Sequence, residues 1–168
     1  MPRLVSHPDE TIVLKRRFGQ GATNIDKYIE LEGYAAVQKA IAQGEEMPAW
    51  IINTMKASGL RGRGGAGFPT GMKWSFVPKT SPKPKYVLVN GDESEPGTCK
   101  DHILFHEDPH AVIEGMIIGS YAMGATSGYV YIRAEYPLAV KRLRLAIEQA
   151  RERGYLGHNV MGHGLNFD

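Results

Sequence analysis

Residues 85–101 read KYVLVNGDESEPGTCKD, an apolar run that passes directly into a polar, acidic loop. The β-branched and aromatic residues of the first six positions follow a proline-rich approach and predict a buried β-strand that ends at Asn90. Strands and helices alternate in the remaining pattern, with strands predicted at 129–133 and 165–168 and helices at 109–124 and 137–153. This alternation predicts an α/β fold with an open parallel sheet and right-handed crossovers.

Helices are also predicted before the sheet, at 25–32, 33–42 and 48–58, with Pro48 in the first turn of the last one. Residues 1–23 are polar and irregular, which indicates an N-terminal arm. Residues 24–168 are predicted to form one α/β domain. The sequence stops within the third predicted strand, so we expect a fragment of a longer protein. The alternative is a short edge strand that completes the sheet.

The composition excludes several classes of function. The net charge is +2 with acidic and basic residues interspersed, so no nucleic-acid partner is indicated. The first residues lack the apolar segment of a signal peptide, and the most apolar stretch, residues 112–132, contains Glu114 and four glycines. No transmembrane segment is therefore predicted. Cys99 is the only cysteine, which excludes an internal disulfide or a cluster held by several cysteines of this chain.

Six glycines crowd into residues 58–76, which read SGLRGRGGAGFPTGMKWSF. The GxGxxG spacing of the dinucleotide fingerprint begins at Gly62, but the preceding residues predict a helix instead of the strand that a standard Rossmann turn needs. The Gly-Lys-Ser/Thr sequence of a P-loop is also missing. We interpret the segment as a non-standard glycine loop whose backbone approaches a nucleotide-like cofactor. Arg63 and Lys73 would neutralise phosphate charge.

Polar side chains follow the first predicted strand, beginning with Asn90 at its end. Ligands of open parallel sheets bind beyond the carboxyl ends of the strands. The acidic loop places three carboxylates and a hydroxyl there, from Asp92, Glu93, Ser94 and Glu95. These groups can accept hydrogen bonds from the hydroxyls of a ribose or a ribityl chain. The alternative is a solvated turn in which Asp92 caps a helix.

The histidines of this region allow a second interpretation. His102, His106 and His110 recur every four residues, a spacing that could align metal ligands on a helix. Pro109 disfavours helical geometry at the residue before it, so we expect His110 to leave that face and predict no metal site in this segment. Cys99 is interpreted as a packed loop cysteine, with a reactive thiol as the alternative.

Three segments carry a resemblance to a known family, namely residues 58–76, residues 83–101 and the segment DPHAVIEGMIIGSYAMGA at 108–125. Together they resemble the flavin-bearing, NADH-oxidising subunits of NADH-quinone oxidoreductase (respiratory complex I). They are similar also to the related diaphorase subunits of NAD-reducing hydrogenases and formate dehydrogenases. The resemblance covers residues 28–168 and implies an atypical Rossmann-like FMN-binding domain with a parallel sheet, preceded by N-terminal helices. The chain departs from the family at His102, where members usually carry arginine.

The resemblance implies two sets of binding residues. FMN is expected to contact Gly62, Arg63, Gly64, Gly67, Lys73, Asn90, Asp92, Glu93 and Ser94. NADH is expected to place its adenine against Phe68 and Phe76 and its nicotinamide end near Glu95. The implied reaction is hydride transfer from NADH to FMN followed by single-electron transfer to iron–sulfur clusters, and it needs no catalytic side chain. A four-iron cluster is expected only in the part of the protein beyond residue 168, so this segment alone is expected to be inactive.

The implied partners are the other peripheral-arm subunits of complex I, including a two-iron iron–sulfur subunit. The implied location is the cytoplasmic side of the inner membrane, with membrane contact only through the complex. Because the same motifs occur in diaphorases, hydrogenase-type and formate dehydrogenase-type acceptors remain alternatives to quinone, and NADPH remains an alternative to NADH. A non-redox nucleotide-binding module is a further alternative. The carboxylates of residues 92–95 favour the redox function, since a simple phosphate binder gains nothing from them.

Overall fold

The parallel sheet predicted from the sequence is present in a computed structural model that describes residues 19–168. Most of the predicted arm at 1–23 lies outside the described residues. Strand β1 (Tyr86–Gly91) pairs in parallel with β2 (Ser127–Ile132), and two helices, α5 (Asp101–Glu107) and α6 (Pro109–Met123), connect them. Gly91 lies opposite Ile132 in the register. The loops that follow the two strands therefore begin at the same edge of the sheet.

Four helices precede the sheet, as predicted for the first three: α1 (Ile25–Glu30), α2 (Ala35–Ile41), α3 (Met47–Ala57) and α4 (Thr70–Ser75), with a 3₁₀ turn at Gly44–Glu46. The side chain of Asn24 starts α1 by accepting the backbone N–H groups of Asp26 and Lys27 at 3.0 and 3.2 Å. The break between α1 and α2 is wider than predicted because Glu32 and Tyr34 both have a positive φ, of 64° and 59°. Such backbone cannot continue a right-handed helix.

Proline and glycine set the limits of the long helices. Pro109 lies in the first turn of α6, and Gly124, with a φ of 71°, ends that helix in the left-handed conformation. Helix α7 (Pro137–Glu152) follows β2 and buries three alanines and a leucine along one side, at positions 139, 143, 146 and 150. Within residues 19–168, every helix is too short or too polar to cross a lipid bilayer.

The two faces of the parallel sheet differ in burial. Val87 and Val89 pack against the core formed with α6, and Val130 does the same from β2. On the other face Leu88 is 74% exposed, and Tyr129 and Tyr131 are also exposed. The prediction of a buried first strand therefore holds for one face and is wrong for the other, since no described element covers that face. The alternating burial along β1 is the pattern of a sheet that is covered on one side.

The end of the described chain combines two kinds of pairing. Strands β3 (Gly157–Val160) and β4 (Leu165–Phe167) form an antiparallel hairpin. The next residue, Asp168, donates its N–H to the carbonyl of Thr126 at 3.2 Å and accepts the N–H of Gly128 at 2.8 Å. This is the hydrogen-bond pattern of a parallel neighbour of β2. The predicted strand at 165–168 thus exists, but it first pairs with β3, a strand whose sequence GHNV lacks an apolar pattern and was not predicted.

Candidate functional site

The glycine-rich segment folds into a narrow loop that is closed by backbone hydrogen bonds. Gly62 donates its N–H to the carbonyl of Phe68 at 2.9 Å, and Thr70 donates to the carbonyl of Leu60 at the same distance. The side chain of Arg61 donates to the carbonyl of Gly67 at 3.0 Å. These bonds hold both ends of the loop, so residues 63–66 form its tip.

The glycines of this segment have different physical roles. A Cβ atom added to Gly64 would meet nothing within 4 Å, and the same holds for Gly65 and Gly67. Gly65 and Gly67 also have positive φ angles, of 111° and 61°, which favour glycine. At Gly71, by contrast, a Cβ would lie 2.5 Å from the backbone nitrogen of Lys56. Packing of α4 on α3 therefore requires Gly71, whereas packing does not explain the absence of a side chain at Gly64.

The acidic loop after β1 is ordered by its own short side chains. Asn90 Oδ1 accepts the N–H of Asp92 at 2.9 Å, and Asp92 Oδ1 accepts the hydroxyl of Ser94 at 2.6 Å. Asp92 thus bonds within the loop. The helix cap that the sequence alternative assigned to Asp92 is instead made by its neighbour Glu93.

Glu93 is buried, with 3% of its surface exposed. Its carboxylate accepts the backbone N–H groups of Lys100, Asp101 and His102 at 2.6, 2.7 and 3.2 Å, at the beginning of α5. The ring Nδ1 of His102 lies 2.5 Å from the same carboxylate. Burial by itself raises the pKa of Glu93, but the hydrogen bonds from Asp101, His102 and Lys100 outweigh it and lower the pKa to about 2. Glu93 is therefore ionised, and His102 Nδ1 is the proton donor of the pair.

The backbone of Glu93 is held from the second strand. Arg133 Nη1 donates to the Glu93 carbonyl at 3.1 Å, and the hydroxyl of Tyr136 lies 3.3 Å from the same oxygen. The sequence reasoning missed both residues. Asp92 was predicted because ligands bind beyond the carboxyl ends of parallel strands. The same rule would have indicated Arg133, which is the first residue after β2.

A cleft of about 560 Å³ separates the glycine loop from the acidic loop. It brings together seven of the predicted site residues, namely Arg63, Gly64, Asn90, Asp92, Glu93, Ser94 and Glu95. Thr98, Lys100 and Asp101 complete its lining. The remaining predicted residues lie elsewhere. Gly62 and Gly67 belong to the stem of the glycine loop, and Lys73 lines a separate groove of about 520 Å³ beside the free edge of β1.

The two predicted aromatic residues form an exposed pair at the ends of α4. The ring centroids of Phe68 and Phe76 are 6.2 Å apart, with an angle of 56° between the planes. Phe68 is 45% exposed and Phe76 is 66% exposed. Large apolar side chains that remain accessible in this way are suited to contact a flat ring.

The cleft has the chemistry that a phosphorylated, hydroxyl-rich cofactor requires. Its volume falls within the usual range of about 300–1,000 Å³ for ligand pockets. One wall offers the guanidinium of Arg63 and the uncovered backbone at Gly64, which suit an anionic phosphate. The other wall offers the side-chain oxygens of Asn90, Asp92 and Ser94, which suit hydroxyl groups. The residues present therefore fit FMN.

The histidine spacing does not place all three histidines on one face: the ring centroids of His102 and His106 lie 5.6 Å apart, but His110 lies elsewhere. Asp108 separates α5 from α6, as the proline predicts, and His110 points into the core. There Nδ1 of His110 lies 3.0 Å from the hydroxyl of Tyr34, and Nε2 lies 3.1 Å from the side-chain oxygen of Gln149. Cys99 is exposed, so the prediction that it is packed in the loop is wrong.

The chain was compared with known families and proteins. Residues 55–164 match the family described as Nuo51 FMN-binding domain. An NADH-quinone oxidoreductase subunit of Rhizobium meliloti (strain 1021) is 56% identical over 135 residues, which are 80% of this chain and 32% of that protein. NADP-reducing hydrogenase subunit HndC of Solidesulfovibrio fructosivorans is 51% identical over 86% of this chain and 29% of its own length. The chain thus spans about a third of the length of these curated relatives.

A solved structure shows the same fold. The match is to a chain of an NAD⁺-reducing [NiFe]-hydrogenase in the H₂-reduced state, at a TM-score of 0.59 and 39% sequence identity. It covers 62% of this chain and 18% of that chain. Since the family match extends over more than half of the residues, the chain belongs to the Nuo51 FMN-binding domain family of oxidoreductase subunits.

Proposed function

We propose that this domain holds FMN and receives NADH in an NADH-oxidising subunit of a larger electron-transfer complex. The observation that carries the proposal is the cleft between the glycine loop and the acidic loop. It places Arg63 and the bare backbone at Gly64 opposite Asn90 and Asp92. A cationic wall facing an acceptor-rich wall matches a molecule with a phosphate at one end and hydroxyls along its length.

Each wall has its own task towards FMN. Arg63 and the backbone of Gly64 hold the phosphate, Gly62 and Gly67 shape the stem that carries them, and Lys73 adds positive charge from the neighbouring groove. Asn90, Asp92 and Ser94 accept or donate hydrogen bonds to the ribityl hydroxyls, while Glu93 completes the acidic loop. When bound, FMN supplies the chemistry of the reaction, accepting two electrons from NADH and releasing them singly.

The dinucleotide is bound by the exposed aromatic pair and by the last carboxylate of the loop. Phe68 and Phe76 stack against the adenine, and Glu95 lies near the nicotinamide end. No side chain of the cleft needs to transfer a proton, because bound FMN would supply the redox chemistry. The protein orients the reactants and excludes water from them.

We assign the longer protein to an NADH-quinone oxidoreductase, as its NADH-oxidising flavoprotein subunit. The Rhizobium meliloti relative supports this assignment by its name and its 56% identity. In that place the protein would contain a four-iron cluster beyond residue 168 and contact a two-iron subunit. It would lie in the peripheral arm on the cytoplasmic side of the inner membrane. The chain would touch the membrane only through the complex.

A diaphorase subunit of an NAD-reducing hydrogenase, or of a formate dehydrogenase, is the second candidate. The HndC relative and the solved hydrogenase structure favour the hydrogenase. The two assignments differ in the proteins that co-purify with the longer protein from its native cells. Quinone-reducing membrane subunits support the first, and a [NiFe] or other hydrogenase subunit supports the second.

The visible absorption spectrum of the longer protein tests the FMN proposal. Purified with FMN supplied, it should show the flavin bands, and NADH should bleach them. A matched preparation carrying Gly64→Val should fold normally, since the new side chain meets open space in the protein, but should lose the flavin. Absence of flavin from the unsubstituted protein would reject the redox function and leave a non-redox nucleotide-binding module.

A further inference from the structure

Glu93 accepts hydrogen bonds through both its side-chain carboxylate and its backbone carbonyl, and the donors to these two groups come from different parts of the fold. Its carboxylate faces α5, where His102 and three backbone N–H groups surround it. Its carbonyl faces the turn after β2, where Arg133 and Tyr136 donate to it. We call these four residues, Glu93, His102, Arg133 and Tyr136, the residue-93 clamp.

The carboxylate of Glu93 is fully used within the protein. Four donors surround its two oxygens, and the side chain has no exposed surface. Turning it towards the cleft would leave these donors without their acceptor, at a cost that hydrogen bonds to a charged group make large. Glu93 therefore lines the cleft through its backbone, and its side chain points to α5. The exposed neighbours Asp92, Ser94 and Glu95 are the residues free to reach a ligand.

The two sides of the clamp also contact each other. The ring of His102 packs on the ring of Tyr136, with centroids 5.3 Å apart and an angle of 38° between the planes. Arg133 is in turn oriented by Glu135, whose carboxylate accepts Nη2 at 2.7 Å. The clamp therefore joins the beginning of α5 to the turn after β2 across the acidic loop. A loop fixed at one residue on both sides has little freedom to move at the neighbouring residues.

We propose that His102, Arg133 and Tyr136 are positioning residues that act through Glu93 to aim Asp92, Ser94 and Glu95 into the cleft. The inference rests on the proposed FMN function and deepens it. It changes the expected role of Glu93, from a side chain that touches the cofactor to one that anchors the loop. It also gives His102 a role in a position where the family resemblance leads one to expect arginine. An arginine there could donate to the same carboxylate.

The test uses the full-length protein and reads two properties. The first is the dissociation constant for FMN, measured by quenching of flavin fluorescence on binding. The second is hydrogen–deuterium exchange of the backbone N–H groups at residues 100–102, measured without FMN. The variants are His102→Leu, His102→Arg and Tyr136→Phe. Tyr86→Phe is the matched control, because its hydroxyl belongs to an exposed residue at the beginning of β1, at the far end of the strand.

We expect His102→Leu to raise the FMN dissociation constant about tenfold, because it removes a hydrogen bond to a charged group. His102→Arg should restore the affinity to within about twofold of the original protein. Tyr136→Phe should raise the dissociation constant about threefold, since the lost bond is to a neutral carbonyl. In the protein without FMN, His102→Leu should speed exchange at residues 100–102. Tyr86→Phe should change neither property.

Two results would overturn the clamp. One is an unchanged FMN dissociation constant in both His102→Leu and Tyr136→Phe. The other is a weakened affinity in His102→Leu that His102→Arg does not reverse. Failure of the unsubstituted protein to bind FMN would reject the proposed function instead. In that case the exchange measurement still decides whether His102 holds the acidic loop, because it does not depend on the cofactor.

Discussion

Among residues 19–168 two glutamates are buried, and their surroundings show how one residue type serves two purposes. Glu93 is 3% exposed and Glu114 is 7% exposed. Glu93 accepts backbone N–H groups of a helix that begins at the edge of the cleft. Glu114, on α6, accepts the hydroxyl of Tyr28 and, at 3.0 Å, the N–H of Tyr34. The first glutamate orders a loop, and the second attaches the early helices to the core.

The surroundings of Glu114 continue as a buried hydrogen-bonded chain. Gln149 Oε1 accepts the N–H of Ile25 at 3.2 Å, which identifies this atom as the oxygen of the side-chain amide. An amide oxygen cannot donate, so Nε2 of His110 is the donor in its contact with the same atom. His110 therefore carries its proton on Nε2, and its Nδ1 accepts the hydroxyl of Tyr34. The Tyr34 ring is stacked on Tyr155, with centroids 3.9 Å apart. Tyr34, His110 and Glu114 are buried and Gln149 is partly buried, so loss of one member removes a hydrogen bond from buried partners.

The different burial of their partners predicts that substitutions at Glu114 destabilise the whole domain and that substitutions at Glu93 act locally. The partners of Glu114 are fully buried, whereas the donors to Glu93 are partly buried at the mouth of a cleft. Donors at the mouth can turn to water when their acceptor is lost, but donors in the core cannot. Damage at Glu114 should reduce the stability of the whole domain. Damage at Glu93 should mainly disturb the cleft.

The largest expected effect is that of Glu114→Leu. It removes the buried carboxylate that accepts the Tyr28 hydroxyl and the Tyr34 N–H, and we expect a loss of roughly 3 kcal/mol in the free energy of unfolding. Glu93→Leu should cost only about half as much. Urea unfolding of the protein that contains this domain measures both. Equal losses for the two variants would contradict the contrast between core and cleft.

The glycines allow a sharper version of the same contrast. Gly71→Ala places a Cβ 2.5 Å from the Lys56 nitrogen and 2.8 Å from the Met55 carbonyl carbon, so we expect a loss of about 2 kcal/mol from overpacking of α4 on α3. Gly64→Ala should leave the unfolding free energy within about 0.5 kcal/mol and weaken FMN binding instead. Unfolding curves and flavin content of the two variants check this. Similar instability in both would show that the glycine loop is packed throughout.

The pH dependence of stability should also separate the two regions. Burial lowers the pKa of His110 from its ordinary 6.5. Below pH 6.5 the unfolded chain therefore binds a proton that the folded core does not, and stability falls as the pH falls, by up to about 1.4 kcal/mol per pH unit. The pKa of His106 is lowered as well, first by burial and then by the charges of His102 and Arg142, and contributes with the same sign.

Glu93 responds in a different pH range. Its pKa is lowered from 4.5 to about 2, so its contribution is present above pH 4.5 and is lost only as the pH falls towards 2. The unfolding free energy should therefore decrease from pH 7 to pH 6 and pH 5, because the unfolded chain protonates His110 and His106 more readily than the folded protein does. The decrease should be smaller in His110→Gln, with His106 accounting for the remainder. An unchanged slope in that variant would show that the buried chain does not contribute to the pH dependence.

Only a small effect on stability is expected for Phe76→Ala, because this side chain is 66% exposed. Its loss should change the unfolding free energy by less than about 1 kcal/mol. It should instead raise the Michaelis constant for NADH several-fold, since adenine loses one face of the aromatic pair, with little change in FMN content. Steady-state kinetics of the longer protein measures this. An unchanged Michaelis constant would remove Phe76 from the NADH site.

Periodicity predicts much of the fold. Helices α3, α6 and α7 and the strands β1 and β2 were all predicted within a few residues of their observed ends. The four buried residues of α7 follow one side of the helix, which is the periodicity that such a prediction depends on. Strand β3 was missed because it has only four residues, two of them polar, and is defined by its pairing with β4.

Most residues that line the cleft were predicted from the sequence, but the directions of their side chains were not. The strand-end rule located the acidic loop, since it depends only on where an apolar run stops. The direction of each side chain depends on tertiary partners that no local pattern contains. Asp92 and Glu93 are adjacent carboxylates in the sequence, yet one bonds within the loop and the other bonds to a helix seven to nine residues later. Arg133 and Tyr136 lie about forty residues from Glu93, and only the register of β1 and β2 brings them together.

A crystal structure of the longer protein with FMN bound tests the central claim most directly. The account predicts electron density for the phosphate at the backbone of residues 62–67 beside Arg63, and for the ribityl chain along Asn90, Asp92 and Ser94. The carboxylate of Glu93 should remain on the N–H groups of α5. Flavin density outside the cleft between the two loops would contradict the account.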